Sequence, residues 1–411
     1  MRIGRRRLVA GGCAALALMA VSGLRVSGQQ TAAPADHAVT FNKDVAPILF
    51  AHCASCHRDG EIGPMPLTSY AEARPWARAI QREVESKAMP PWLADPQYGE
   101  FANDPRLSAN EISTIARWAG GSAAEGARAD LPALLPLATG WRMGTPDIVL
   151  TPDGPFAIAA NPRSVYGDLP IPTHFDRDQY VQTAEVRPGN PEVTHHANLM
   201  LTDAHGVTNR VASYSPGAGA KSYPPGVAKL IPKGATLNLN LHFNPRGAAS
   251  VDPGTAIGLV FARDPVRQIA MTAESGTNVI DIAPGDANYE RVGKPFVFQQ
   301  DSHILTVMPR MNERGKDFRY TLVYPDGTSI IVLSIPAWNH GWVFTYALKE
   351  PIAAPKGSRL ETVAHWDNSA RNKRNPDPAV RVPFGPEIMN GYFEYVIDSQ
   401  DLRHTSNQLG R

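Results

Sequence analysis

The stretch TLNLNLHFN, Thr236 to Asn244, decides the fold. Leu237, Leu239, Leu241 and Phe243 alternate with Asn238, Asn240, His242 and Asn244. One face is apolar and the other polar, the period-two signature of a half-buried strand. The pattern continues outward. YTLVYPDGTSIIVLSI reads as two β-rich runs joined at Pro325-Asp326-Gly327, a hairpin. Runs at 181–186, 257–261, 342–348 and 360–365 read as further strands. Many short strands between Gly/Pro turns predict a sandwich. From residue 146 onward the pattern is long for one sandwich and predicts two in tandem, 146–265 and 266–400.

Upstream the period changes. Residues 38–122 read as helical, and 123–145, rich in Ala, Pro and Leu without period, read as a linker. Val45, Ile48 and Leu49 fall at helical spacing, and Trp76, Ile80 and Val84 mark one face of a second helix. Ser108 with Glu111 is a capping box opening a third, which Gly120-Gly121 ends.

Apolar content of 43% against 19% charged argues for folded cores and against disorder. A net charge of +1 gives no reason to expect a nucleic-acid partner. Arg2, Arg5, Arg6 and Arg7 precede an apolar run from Leu8 to Val21, and small residues follow. This predicts a signal peptide over 1–28, export, and a periplasmic or secreted protein. Cys13 falls inside that signal. No later stretch is long and apolar enough to cross a membrane.

The mature chain then keeps two cysteines, both in CASCH, Cys53 to His57. C-x-x-C-H is the pattern of covalent haem attachment: Cys53 and Cys56 form thioethers and His57 ligates the iron. A redox or zinc pair is the competing reading, but one CxxC pair cannot make a four-ligand zinc site and the adjoining His favours haem. Met89 in KAMPPW is the preferred sixth ligand, because Pro90 and Pro91 stiffen its loop; Met65 in GPMPL is the competitor.

A second group of residues suits a metal. His195-His196 in VTHHANLM and His242 on its strand offer three imidazoles, a donor set suited to copper. Neighbours in a regular strand point to opposite faces, so His195 and His196 can share an ion only at a bulge or a strand end.

Together with FNKDVAPILFAHCASCHRDG, MPPW, GWRMGTPDIVL, AEVRPGN, LNLNLHF, PRMNERGKDF and the EIMNGYFEY run, these motifs resemble a bacterial family. It joins a cytochrome c to a region similar to copper type II, ascorbate-dependent monooxygenases such as peptidylglycine alpha-hydroxylating monooxygenase and dopamine beta-monooxygenase. The resemblance spans about residues 38–398. It implies a multidomain chain, an all-α cytochrome c domain followed by two tandem all-β jelly-roll-like sandwich domains. It also implies one haem c, one copper at His195, His196 and His242, and a second, oxygen-binding copper to which Met389 would contribute. The implied activity is hydroxylation of a small-molecule or peptide substrate with O2. The haem would feed electrons to the three-His copper, and ascorbate or another cytochrome would be the donor.

The chain departs from the family where the second copper takes two histidines of a Pro-His-x-His motif. Here the residues are Pro309, Arg310, Met311 and Asn312. A guanidinium has no lone pair to give a metal. His303 and His340, with Met308 and Met311, are the conceivable substitutes. Without them the chain reads as a non-catalytic electron-transfer or ligand-binding protein.

Overall fold

Thr236–Phe243 is a strand paired on both sides, antiparallel to Val165–Pro172 and to Thr194–Thr202. Its leucines and Phe243 are at most 2% exposed, which sets the apolar face inward. The structure, a computed structural model, describes residues 38–133, 140–161, 164–202, 208–245 and 247–399. The signal segment expected at 1–28 lies outside the described residues.

Four strands in the order Val165–Pro172, Thr236–Phe243, Thr194–Thr202, Thr208–Tyr214 make one sheet. A second sheet is built on Gln179–Arg187, with Ala256–Phe261 and Val227–Ile231 on either side. Alternate residues of both sheets, among them Leu199, Leu239, Val186 and Leu259, form a first β core. A second core takes side chains from the sheet Met271–Glu274, Asn390–Ile397, Ser302–Arg310, Tyr346–Ala354. It also takes them from the sheet Tyr289–Val292, Arg359–Trp366, Gly315–Val323, Ser329–Ile335.

Upstream lie α1 (Ala46–His52), α2 (Tyr70–Ala73), α3 (Ala77–Glu85) and α4 (Ala109–Gly120). The capping box at the start of α4 forms as the residue types dictate, Ser108 and Glu111 satisfying each other's backbone N–H. Ile80 and Val84 of α3 and Ile115 and Trp118 of α4 meet Phe41 and Leu49 in a small apolar cluster.

These helices do not constitute an all-α domain of their own. The segment between α3 and α4 runs into the second β core: Trp92 packs at a tilt against Tyr346 with ring centres 4.7 Å apart, and Phe101 packs on the same ring at 5.4 Å. The backbone follows. Asp95 donates to the Ser334 carbonyl and Ala102 to the Ala347 carbonyl, each at 2.8 Å, and Phe101 bridges to Leu348. Val39–Arg411 is accordingly one compact unit, mostly strand, with short helices. This corrects the expectation of a multidomain chain with an all-α cytochrome c domain followed by two tandem all-β jelly-roll-like sandwich domains. The physical reason is that Trp92 and Phe101 find their apolar partners in the sheets and not among the helices.

The two β cores are also joined to each other. Tyr223 and Val227 from the first pack with Ala270 and Val396 of the second. Beside them Glu394 receives Tyr223 Oη at 2.8 Å and Thr306 Oγ1 at 3.0 Å, pairs with Lys221, and lies 3.6 Å from Lys229 Nζ.

Candidate functional site

The register of Thr194–Thr202 against Thr236–Phe243 slips between Thr194 and His196: Thr194 pairs with Phe243, His196 with His242, and His195 is the extra residue. This is the bulge that two neighbouring histidines need in order to point the same way. His195 Nδ1 lies 3.0 Å from His196 Nδ1 and 3.1 Å from His242 Nδ1. The ligand atoms of the three all lie within 4.8 Å of one another. Nitrogens bound tetrahedrally at about 2.0 Å stand about 3.3 Å apart, so the set has the spacing of a metal site.

The outer nitrogen of His242 is held. His242 Nε2 sits 2.9 Å from Ser164 Oγ, and its ring stacks on Tyr166 at 4.3 Å. Such outer contacts fix the ring and the tautomer of a metal-ligating histidine. The backbone of His340 and Gly341 lies beside the His195 ring. His242 is 2% exposed although it lies on the polar face of its strand, so the site is covered.

Burial, the neighbouring imidazole of His340 and the guanidinium of Arg310 bring His195 down to about 4. Burial, then His195 and His340, bring His242 down to about 3. His196 falls well below its ordinary value through burial and then Arg310. All three are therefore neutral near pH 7, the form that carries a lone pair for a metal.

CASCH follows α1. Cys53, Cys56, His57, Met65 and Met89 line a cavity of about 400 Å³, and His195 lines the same cavity. His57 Nδ1 lies 3.1 Å from the Met65 carbonyl, an arrangement that places the ring proton there and leaves Nε2 free for an iron. Burial, with Cys56 beside it, pushes the Cys53 thiol up to about 12, and burial also raises Cys56.

Met389 is fully buried in the second β core, its backbone bridged to Thr277. The residues at the altered motif have other partners. Arg310 Nη2 reaches Asn198 Oδ1 at 3.4 Å, on the strand that carries His195 and His196. Asn312 donates its side-chain N–H to the Pro386 carbonyl at 3.0 Å. His303 is bound to Asp398 at 2.6 Å, and His365 sits between Asp317 and Glu290. His340 turns toward the first centre, its ring 5.3 Å from that of His195 and 6.2 Å from that of His242. Its place next to His195 was not visible in the sequence, because WNHGW is a loop without period.

No family model matches the chain, and no curated protein matches it. Solved structures similar to it include the major capsid protein P2 of bacteriophage PM2, at 12% identity over 61% of this chain and 96% of that one, with a TM-score of 0.28. The infectious bursal disease virus VP2 subviral particle matches at 9% over 61% and 72%, TM-score 0.22. The tandem CBM22-1-CBM22-2 domain of Paenibacillus barcinonensis Xyn10C matches at 11% over 62% and 98%, TM-score 0.18.

Proposed function

We propose that the protein is an exported one-electron oxidoreductase that holds a c-type haem on Cys53, Cys56 and His57 and a copper ion on His195, His196 and His242. One observation carries the reading: Cys53, Cys56, His57 and His195 line a single cavity, so the two redox groups would be near neighbours. When bound, haem and copper each supply reversible one-electron chemistry.

The chain's residues contribute the rest. Met89 lines the cavity and is the sixth-ligand candidate. The Met65 carbonyl orients His57, and Ser164 orients His242. Arg310 keeps positive charge beside the imidazoles and disfavours their protonation. Hydroxylation of the kind the resembled family performs would need a second copper. Arg310 and Asn312 offer no ligand there, and Met389 lies in the apolar core. Electron transfer is therefore the better supported activity, with ascorbate or another cytochrome as donor.

The test reconstitutes haem-loaded protein with copper, reduces the haem, and follows the Cu(II) EPR signal. Loss of the signal together with haem reoxidation supports the proposal. A Cu(II) signal that persists beside reduced haem refutes it.

A further inference from the structure

We infer that His340 is a fourth imidazole of the His195–His196–His242 centre, delivered from the second β core and closing the coordination position that three histidines leave open. This rests on the metal reading proposed above.

His340 lies in the 336–345 loop between the strands Ser329–Ile335 and Tyr346–Ala354. An imidazole bound through one nitrogen puts its ring centre about 3 Å from the ion, so the ring centres of two co-ligands fall within roughly 6 Å of each other. The rings of His195, His196 and His242 are 4.6–5.1 Å apart. His340 stands 5.3 Å from His195 and 6.2 Å from His242, the spacings of a neighbouring and a nearly opposite ligand of one ion.

The donor atom is identified by what holds the other one. His340 Nδ1 is 3.2 Å from the Met311 carbonyl, so its proton is placed there and Nε2 keeps the lone pair. His57 shows the same arrangement against Met65. His340 is the outermost of the four, since only the other three lie mutually within 4.8 Å.

The consequence is functional. A metal with three protein ligands keeps a position for water, oxygen or substrate, whereas a closed set does not. A four-imidazole centre passes electrons without binding a reactant. It also draws ligands from both β cores, so the ion ties them together.

The experiment adds Cu(II) to the haem-loaded full chain. It counts coordinated imidazoles by pulsed EPR, measures Cu(II) affinity by chelator competition, and titrates azide as a probe for an open position. Wild type should show four imidazoles and no azide spectrum. His340→Ala and His340→Gln should show three, lose roughly 10- to 100-fold in affinity, and bind azide. Free imidazole added to His340→Gly should restore the fourth. Three imidazoles in wild type, with azide bound as readily as in the variants, overturns the inference and leaves the three-histidine centre standing. Wild type that takes up no Cu(II), or uptake unchanged in His242→Ala, removes the centre itself and the inference with it. The imidazole count in wild type decides the matter even if a variant fails to fold.

Discussion

Replacing Glu394 by Leu should cost the protein several kilocalories per mole, because one carboxylate balances the seam between the two β cores. Glu394 is 3% exposed and Lys229 4% by side chain. Lys221, Lys229, Tyr223 and Thr306 all direct donors at it. Burial alone would raise this carboxyl; Lys221 and Lys229 outweigh it and hold the group down at about 2. Burial likewise brings Lys229 down to about 8, Glu394 opposing and Lys221 adding to the shift. The seam therefore carries more positive charge than one carboxylate neutralises. Removing one partner of a buried pair costs about 3–5 kcal/mol, because the other charge is left unpaired. Unfolding entropy of about 2.1 cal/mol/K per residue converts that into a drop in Tm of about 4–6 °C for the 39–411 unit. The assay is thermal unfolding at pH 7, run as a double-mutant cycle with Lys229→Met. The double variant should regain at least half of the loss, since two apolar groups of similar volume replace the pair. A drop below about 1 °C for Glu394→Leu, or a double variant no more stable than the single, refutes the reasoning.

Glu394 also sets a pH dependence. Its folded pKa lies below the unfolded value of about 4.3, so its contribution is fully present above that value and is lost as pH falls toward about 2. Wild-type stability should fall across that window, and Glu394→Gln should flatten the fall, as read by denaturant unfolding at stepped pH. Met89→Ala should turn a six-coordinate low-spin haem spectrum into a high-spin one; an unchanged spectrum rules Met89 out as ligand. Gly63→Ala should cost about 1–3 kcal/mol. A Cβ there would stand 2.6 Å from the Cys56 carbonyl and 2.8 Å from His57 Nδ1. The haem-loaded variant should unfold earlier than wild type, and equal midpoints count against that packing. Trp92→Ala should cost about 3 kcal/mol and speed hydrogen exchange across residues 86–105. Unchanged exchange would mean that the helices are not anchored through Trp92.

The β structure was legible where one face is buried and the other wet. Leu237 to Phe243 announce their strand because alternation is forced when only every second residue meets the core. The α4 boundary was legible for a local reason too, since Ser108 and Glu111 satisfy each other's backbone whatever lies around them. The association of helices and sheets was not. It depends on Trp92 and Phe101, two rings nine residues apart in an irregular segment, and no local period says which core takes them. The three histidines were named as a set, with a bulge as the condition for it, because period two forbids His195 and His196 a common direction otherwise. His340 had no such constraint. Its approach follows from how the second β core meets the first, through Glu394 and its partners, and that contact leaves no trace in local pattern.

The most direct test of the account is the copper-to-iron ratio of haem-loaded, copper-reconstituted protein, measured in wild type and in His242→Ala. The account predicts one copper per haem with a Cu(II) EPR signal of nitrogen ligation, and its loss in the variant. Two coppers per haem would contradict the single-centre reading. No copper, or copper retained in His242→Ala, would contradict the metal centre at His195, His196 and His242.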